Sequence, residues 1–177
     1  MRNPTPSFIA EFPLRMSAAD ERALVVRFEA ARHIYNDTLC KALRRLTLMR
    51  ETREWQAALV MPKGVASTAA RHARATAFNT AIIRFRFTSG VLQKGAEGCQ
   101  DTCWIREHLV DSHDTQTTSL RAFRAVQQYA FGRRGRPRFK GQGRLNSVEG
   151  KDDAAPAPPG KQDACGFVVG FGPAVPA

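Results

Sequence analysis

The chain has 177 residues, a formal net charge of +11 and a hydrophobic fraction of 43%. This composition is typical of a globular protein with one domain or two small ones, and it excludes a largely disordered chain. The sequence contains no apolar run long enough to cross a membrane and no apolar signal-peptide core near its N-terminus. Its four cysteines are too few for a disulfide scaffold in a chain of this length. We therefore expect a cytoplasmic protein.

The positive charge is concentrated in one segment. Residues 121–151 hold nine basic residues and one acidic residue, whereas residues 152–177 carry a net negative charge. A strongly basic segment attracts polyanions over a Debye length. Most of the basic residues are arginines, which bind phosphate through two parallel hydrogen bonds, although a GC-rich genome also favours arginine codons. The charge distribution predicts a phosphate-rich partner, namely RNA or DNA.

The N-terminal part predicts one strand followed by a long helix. Residues 7–16, SFIAEFPLRM, alternate apolar and polar side chains with the period of a half-buried strand. Ser17 and Asp20 then form a capping-box pattern. The helix is predicted to end near Arg50 and to resume near Trp55. Its buried face is predicted from apolar residues at helical spacing: Leu24, Phe28, Ala31, Tyr35, Leu39, Ala42 and Leu46.

Two further helices are predicted between this one and the basic segment. The first spans residues 66–86, and the second begins at Asp114, a candidate N-cap, and ends at Gly132. Residues 88–103 show no clear pattern. The basic faces of the first long helix and of the 66–86 helix are interpreted as solvated surface. The predicted buried faces are Ala70, Ala73, Ala77, Ala81 and Phe85 in the first helix, and Leu120, Phe123, Val126 and Ala130 in the second.

The segment GRRGRPRFKGQGRLNSVEGK, residues 132–151, is the strongest candidate site. Its glycines allow the backbone to approach phosphate closely, and its basic side chains neutralise phosphate charge. Apolar residues among the charges favour a folded surface over a tail, and RFK and RLNSVEG are predicted to be short strands. The predicted phosphate contacts are Arg133, Arg134, Arg136, Arg138, Lys140, Arg144 and Lys151. Residues 152–177, rich in Ala, Pro and Gly, are predicted to be a disordered tail.

Other patterns with possible chemistry have simpler explanations. Two cysteines and two histidines (Cys99, Cys103, His108, His113) are residue types that bind zinc. Only four residues separate the pairs, whereas a zinc finger needs about a dozen, so a loop before a helix is favoured. The DSHD sequence at 111–114 is likewise interpreted as a helix N-terminus. The sequence shows no nucleophile elbow, phosphate-binding glycine loop or acidic trio, and we predict no catalytic, metal-binding or cofactor-binding residue.

Three aromatic residues provide rings on which nucleic-acid bases could stack: Tyr35, Phe123 and Tyr129. Each lies at or near a position with helical apolar spacing. That spacing favours burial in the core over a binding role.

Five stretches of the chain resemble a known family. They are RHIYNDTLCKALRRLTLMRETREWQAA, RATAFNTAIIRFRFT, CWIREHLVD, LRAFRAVQQYAFGRRGRPRFKG and GRLNSVEGK. Together they resemble the N-terminal half of TnpB-type proteins, the transposon-encoded RNA-guided DNA endonucleases that have long been described as transposases and are related to compact type V CRISPR nucleases. The resemblance covers about residues 8–151, and its most specific part is RAFRAVQQYAFGRRGRPRFKGQGRLNSVEGK.

The resemblance implies an α+β fold: a small oligonucleotide-binding-like (wedge) β-barrel, interrupted by a helical recognition insertion and incomplete at its C-terminus. It implies that residues 1–16 form the first barrel strand and residues 17–131 the helical insertion. Residues 132–151 would be the returning basic strands, and residues 152–177 a disordered or aberrant tail. In this family, these parts hold the guide RNA and the guide–target heteroduplex by shape and backbone, and base pairing supplies sequence specificity.

In the family, these parts are followed by a nuclease domain with an Asp–Glu–Asp metal site and by a four-cysteine zinc ribbon. The present chain departs from the family pattern just after Lys151. The expected function is therefore binding of guide RNA and target DNA without catalysis and without a cofactor. A frameshift or a premature stop is the simplest account of this departure. The alternatives are one half of a split nuclease, active with a separately encoded catalytic part, and a non-functional pseudogene product. A DNA-bound form would be associated with the nucleoid.

Overall fold

The computed structural model describes residues 15–61, 68–107, 112–145, 147–151 and 166–170. Helices make up most of these residues. They are α1 (Ala18–Arg50), α2 (Arg53–Val60), α3 (Thr68–Arg84), α4 (Ser89–Gln100), α5 (Cys103–Glu107) and α6 (Ser112–Ala130). Two short strands, β1 (Ser147–Lys151) and β2 (Gly166–Gly170), pair antiparallel, with Ser147 opposite Gly170 and Lys151 opposite Gly166.

The ends of α1 agree with the sequence prediction. The Ser17 hydroxyl oxygen accepts the Asp20 backbone N–H at 3.2 Å, and the Asp20 carboxylate accepts the Ser17 N–H at 3.1 Å. This reciprocal capping box satisfies two backbone donors that a helix start otherwise leaves unpaired. After Arg50 the chain turns, and the Thr52 hydroxyl caps α2 by accepting the Trp55 N–H at 3.3 Å. The predicted end near Arg50 and the resumption near Trp55 are confirmed.

The core is built around α1, which packs against α4 and α6, while α2 packs against α3. Burial of apolar side chains along these contacts stabilises the helical arrangement. Of the seven predicted core residues of α1, Leu24 is half-buried and the other six are buried. In α6, Phe123, Val126 and Ala130 are buried as predicted, and Leu120 is half-buried against them. A smaller cluster joins α1 to α4 and α5 through Ala30, Ile34, Ala96 and Ile105.

The predicted apolar face of the second helix is partly wrong. In α3 the buried residues are Phe78 and Ala81, whereas Ala73 is exposed. The Phe78 ring lies edge-on against the Trp55 indole, with centroids 4.7 Å apart. A phenyl ring buries far more apolar surface than an alanine methyl group, so Phe78 determines which side of α3 faces the core.

Helix α4 occupies residues for which the sequence showed no clear pattern. It contains three glycines, and only Leu92 and Ala96 are buried. Glycine is a poor helix former, so local propensity does not predict this helix. Its contacts with α1 and α6 supply the stabilisation that the local sequence lacks.

The prediction of an oligonucleotide-binding-like β-barrel is wrong. Within the described residues, strands occur only in the two-stranded β1–β2 pair, and the predicted strand RFK at 138–140 has neither helical nor strand structure. The physical reason is that this part of the chain forms backbone hydrogen bonds with side chains of α1 instead of a neighbouring strand. The second predicted strand, RLNSVEG, overlaps β1.

Parts of the predicted organisation lie outside the described residues. Residues 1–14, which include most of the predicted first strand, belong to this group, as do residues 152–165 and 171–177 of the predicted tail. Within that tail, Gly166–Gly170 forms strand β2.

Candidate nucleic-acid interface

The basic segment leaves α6 through a tight helix end. Gly132 has a φ of +71°, a left-handed conformation that costs glycine little. Its N–H donates to the Tyr129 carbonyl at 3.2 Å, and the Arg133 N–H donates to the Gln128 carbonyl at 2.8 Å. These two bonds form a Schellman motif, so the prediction that Gly132 ends the helix is confirmed. We call residues 133–145, which follow this end, the basic strap.

The basic strap is attached to α1 through its backbone. The Asn36 side-chain amide donates to the Lys140 carbonyl at 2.9 Å, and the Asn36 amide oxygen accepts the Lys140 N–H at 2.8 Å. Arg32 Nη1 donates to the same Lys140 carbonyl at 3.3 Å. Glu29 Oε1 accepts the Gly143 N–H at 2.8 Å. The three α1 residues lie at helical spacing on one face, so a single stripe of α1 fixes the path of the strap.

A turn and a buried leucine complete the attachment. The Arg144 N–H donates to the Gly141 carbonyl at 3.1 Å, and Gly143, at the third position of this turn, has a φ of +65°. A positive φ at this position favours glycine because it has no Cβ. Leu145 follows and is 4% exposed. The strap is therefore fixed at Lys140, Gly143 and Leu145.

The backbone of the strap faces α1, whereas its arginine side chains are exposed to solvent. Arg133, Arg134, Arg136, Arg138 and Arg144 are exposed, and Lys140 is half-buried. The three ion pairs of the described residues are Arg32–Glu29, Lys41–Asp37 and Arg84–Glu54, so the five strap arginines have no carboxylate partner among these residues. Lys151, the remaining predicted contact, lies in β1, where only its backbone is described. The structure thus brings six of the seven predicted residues together on one strap.

Basic residues on α1 have a different role. Arg45 Nη1 donates to the Arg86 carbonyl at 2.8 Å, Lys41 Nζ donates to the Gly95 carbonyl at 3.3 Å, and Arg50 Nη2 donates to the Tyr129 carbonyl at 3.4 Å. The Tyr129 carbonyl lies in the last turn of α6, where carbonyls need external donors and a cation interacts favourably with the helix dipole. The Arg86 carbonyl lies just beyond α3, and the Gly95 carbonyl lies within α4. These side chains connect α1 to its neighbours, so their interpretation as simple solvated surface is wrong.

The three aromatic residues considered for stacking are not open rings. Tyr35 is 5% exposed and Phe123 is 6% exposed, which confirms their assignment to the core. Tyr129 is half-buried, and the Arg50 guanidinium lies 4.6 Å from its ring centroid. That cation–π contact covers a face that a base would need.

Glu29 is the acidic residue that contacts the strap. Partial burial of its carboxylate pushes its pKa upward, but the Gly143 N–H and the neighbouring Arg32 outweigh burial and hold the pKa below its usual value. Arg32 Nε lies 2.7 Å from Glu29 Oε2. The carboxylate therefore stays ionised at neutral pH, with one oxygen bound to Arg32 and the other to the strap backbone.

Three residues that hold the strap were not predicted from the sequence: Glu29, Arg32 and Asn36. Their only sequence signal is polar side chains at helical spacing on one face, and this pattern is also typical of a solvated face. Their partners lie more than 100 residues away along the chain. Only the tertiary structure distinguishes the two interpretations.

The other candidate chemistry is not brought into a site. Cys99 lies in α4, where burial raises the pKa of its thiol, and Cys40 is exposed on α1. His108 and Asp111 lie outside the described residues. Ser112 and Asp114 lie in the first turn of α6, so a helix begins within the DSHD sequence, but it begins two residues before Asp114, and the prediction that Asp114 is the N-cap is wrong. Among the described residues, no group of three or more His, Cys, Asp or Glu side chains is placed to hold a metal ion.

Comparison of the chain with models of protein families, with curated proteins and with solved structures finds no match. Among the described residues, no helix combines the length and apolar character that spanning a membrane requires.

Proposed function

We propose that this chain binds nucleic acid by holding phosphates on the basic strap. The observation that carries the proposal is that five arginines within residues 133–144 are exposed and have no carboxylate partner among the described residues. Each guanidinium offers five N–H donors in a planar fork that matches the oxygens of a phosphate. A polymer with regularly spaced phosphates would engage several of them together.

The fixed backbone of the strap supports the same proposal. Binding costs free energy when it orders a mobile segment, and a segment already held at Lys140, Gly143 and Leu145 avoids much of that cost. Glu29, the nearby acid, has both carboxylate oxygens engaged, so it competes weakly for the arginines. A net charge of +11 adds a long-range attraction that accelerates association with polyanions.

The resemblance to TnpB-type proteins, which bind a guide RNA and its DNA target for transposition-linked cleavage, supports RNA and DNA as the ligands. In this proposal the chain contributes affinity through backbone phosphates, with sequence read by base pairing. We assign it no catalytic residue. The helical framework would then present the strap to the nucleic acid, with α1 as its support.

The test is the salt dependence of binding. The logarithm of the binding constant should fall linearly with the logarithm of salt concentration, with a slope of about −0.9 for each duplex phosphate neutralised. We expect the triple variant R134A/R136A/R138A to bind more weakly and to lose up to about 2.7 from that slope, because three contacts are removed. Fluorescence anisotropy of labelled RNA and DNA at several salt concentrations measures both quantities.

A matched control removes the same charge elsewhere. Arg27, Arg44 and Arg53 are exposed helical residues outside the strap. The variant R27A/R44A/R53A has the same net charge as the strap variant and should retain most of the slope. An equal loss in both variants would mean that net charge alone drives binding, and unchanged binding in the strap variant would place the site elsewhere.

A further inference from the structure

The basic strap contains an exposed aromatic ring. Phe139 is 54% exposed, and it lies between Arg138 and Lys140. Trp104 and Phe131 are also exposed, but each has a ring neighbour. The ring centroids of Trp104 and His33 are 5.1 Å apart, and those of Phe131 and Trp55 are 6.1 Å apart. Phe139 has no ring neighbour among the described residues. Its ring is therefore available to a ligand.

The position of Phe139 is fixed by its neighbour. Both backbone groups of Lys140 are bound by Asn36, at 2.8 Å and 2.9 Å. An exposed phenyl ring leaves apolar surface in water, which is unfavourable compared with burial. A mobile segment could reduce that exposure by collapsing onto the protein, but the attachment at Lys140 restricts this movement. The structure thus keeps an apolar ring at the surface, at a position that two cationic residues flank in the sequence.

This combination matches the chemistry of an unpaired nucleotide. A base offers a flat apolar face, and its phosphate offers a negative charge, so a ring flanked by cations can bind both. In a duplex, the faces of the bases are occupied by neighbouring bases, and only grooves and phosphates remain accessible. A duplex could therefore use the arginines of the strap but not the Phe139 ring.

We infer that Phe139 stacks on an unpaired base and that the preferred ligand of the basic strap is single-stranded nucleic acid. This inference rests on the proposed function, because the strap arginines must first hold the phosphates. The ring then adds affinity that depends on strandedness and not on sequence, since every base has a stacking face. Arg138 and Lys140 supply the adjoining phosphate contacts.

The experiment compares a single-stranded RNA probe of about ten nucleotides with a blunt duplex of the same sequence. F139A should weaken single-strand binding about 5- to 150-fold, which corresponds to about 1–3 kcal/mol for one stacked base. Duplex affinity and the salt slope should not change, because no phosphate contact is removed. F139W should restore single-strand affinity, whereas F139L, which keeps an apolar side chain without a ring, should not. Circular dichroism of each variant checks that the helices are intact.

A single-stranded probe that contains 2-aminopurine gives a second readout. Stacking on an aromatic side chain should quench its fluorescence in the unaltered chain and in F139W, and the quenching should be lost in F139A. Equal affinity losses for single strand and duplex in F139A, or no loss for either, would overturn the inference and leave phosphate binding by the strap intact. If the unaltered chain binds neither probe at any salt concentration, the proposed function itself fails, and this inference fails with it.

Discussion

Replacement of Asn36 by alanine tests the attachment of the basic strap most directly. The substitution removes both hydrogen bonds to the Lys140 backbone, at 2.8 Å and 2.9 Å, and leaves the Lys140 N–H without its acceptor. The Lys140 carbonyl keeps its longer bond from Arg32 at 3.3 Å. We therefore expect the strap to separate from α1 more often, and the free energy of unfolding to fall.

The magnitude follows from two opposing effects. Two hydrogen bonds at about 0.5–1.5 kcal/mol each contribute about 1–3 kcal/mol. Alanine is a better helix former than asparagine, so the substitution also stabilises α1 by up to about 0.7 kcal/mol. The net loss in the free energy of unfolding should be about 1.5 kcal/mol. With a urea dependence of about 2 kcal/mol per molar, the unfolding midpoint should fall by about 0.7 M.

Asn79 provides the matched control. It lies inside α3, is exposed, and has no side-chain partner among the described residues, so N79A should gain only the helix-propensity term. Urea unfolding followed by circular dichroism measures the global effect. Hydrogen exchange followed by mass spectrometry measures opening of residues 133–145, which should exchange faster in N36A alone. If N36A matches N79A in stability and leaves hydrogen exchange of the strap unchanged, Asn36 does not hold the strap.

Two further predictions concern single residues. Glu29 has a lowered pKa in the folded chain, so its stabilising contribution is present above its ordinary pKa of about 4.3 and is lost as the pH falls through the lower folded value. E29Q should therefore be less stable than the unaltered chain at neutral pH and equally stable in acid, as measured by urea unfolding at several pH values. A stability difference that persists in acid would contradict this prediction, as would the same difference in the exposed control E97Q. Arg86 lies two residues beyond the end of α3 and has a φ of +52°. This left-handed conformation costs an L-residue with a Cβ about 1–2 kcal/mol. Glycine avoids this cost, but it loses more backbone entropy on folding, which offsets part of the gain. R86G should raise the free energy of unfolding by about 0.5–1 kcal/mol, whereas an unchanged or lower value would show that the left-handed residue is not strained.

The local features of this protein were predictable because they depend on residues close together in the chain. The capping box of Ser17 and Asp20, the end of α1 at Arg50 and the glycine at the end of α6 each involve residues within a few positions of one another. The buried faces of α1 and α6 were also predictable, because apolar residues three or four positions apart lie on the same side of a helix. The concentration of arginines in residues 132–151 is also visible in the sequence, and it identified the segment that the structure places on the surface.

The packing of the helices determines which polar residues contact this segment and which basic residues remain exposed. Asn36 meets Lys140 across 104 positions, and Arg45 meets the Arg86 carbonyl across 41. A pattern of polar residues on one helix face is the same whether water or another segment covers it, so the sequence could not separate these cases. The expected barrel was wrong for a related reason. A strand needs a partner edge for its backbone hydrogen bonds, whereas the strap backbone bonds to side chains of α1, and that partnership exists only once the helices have packed.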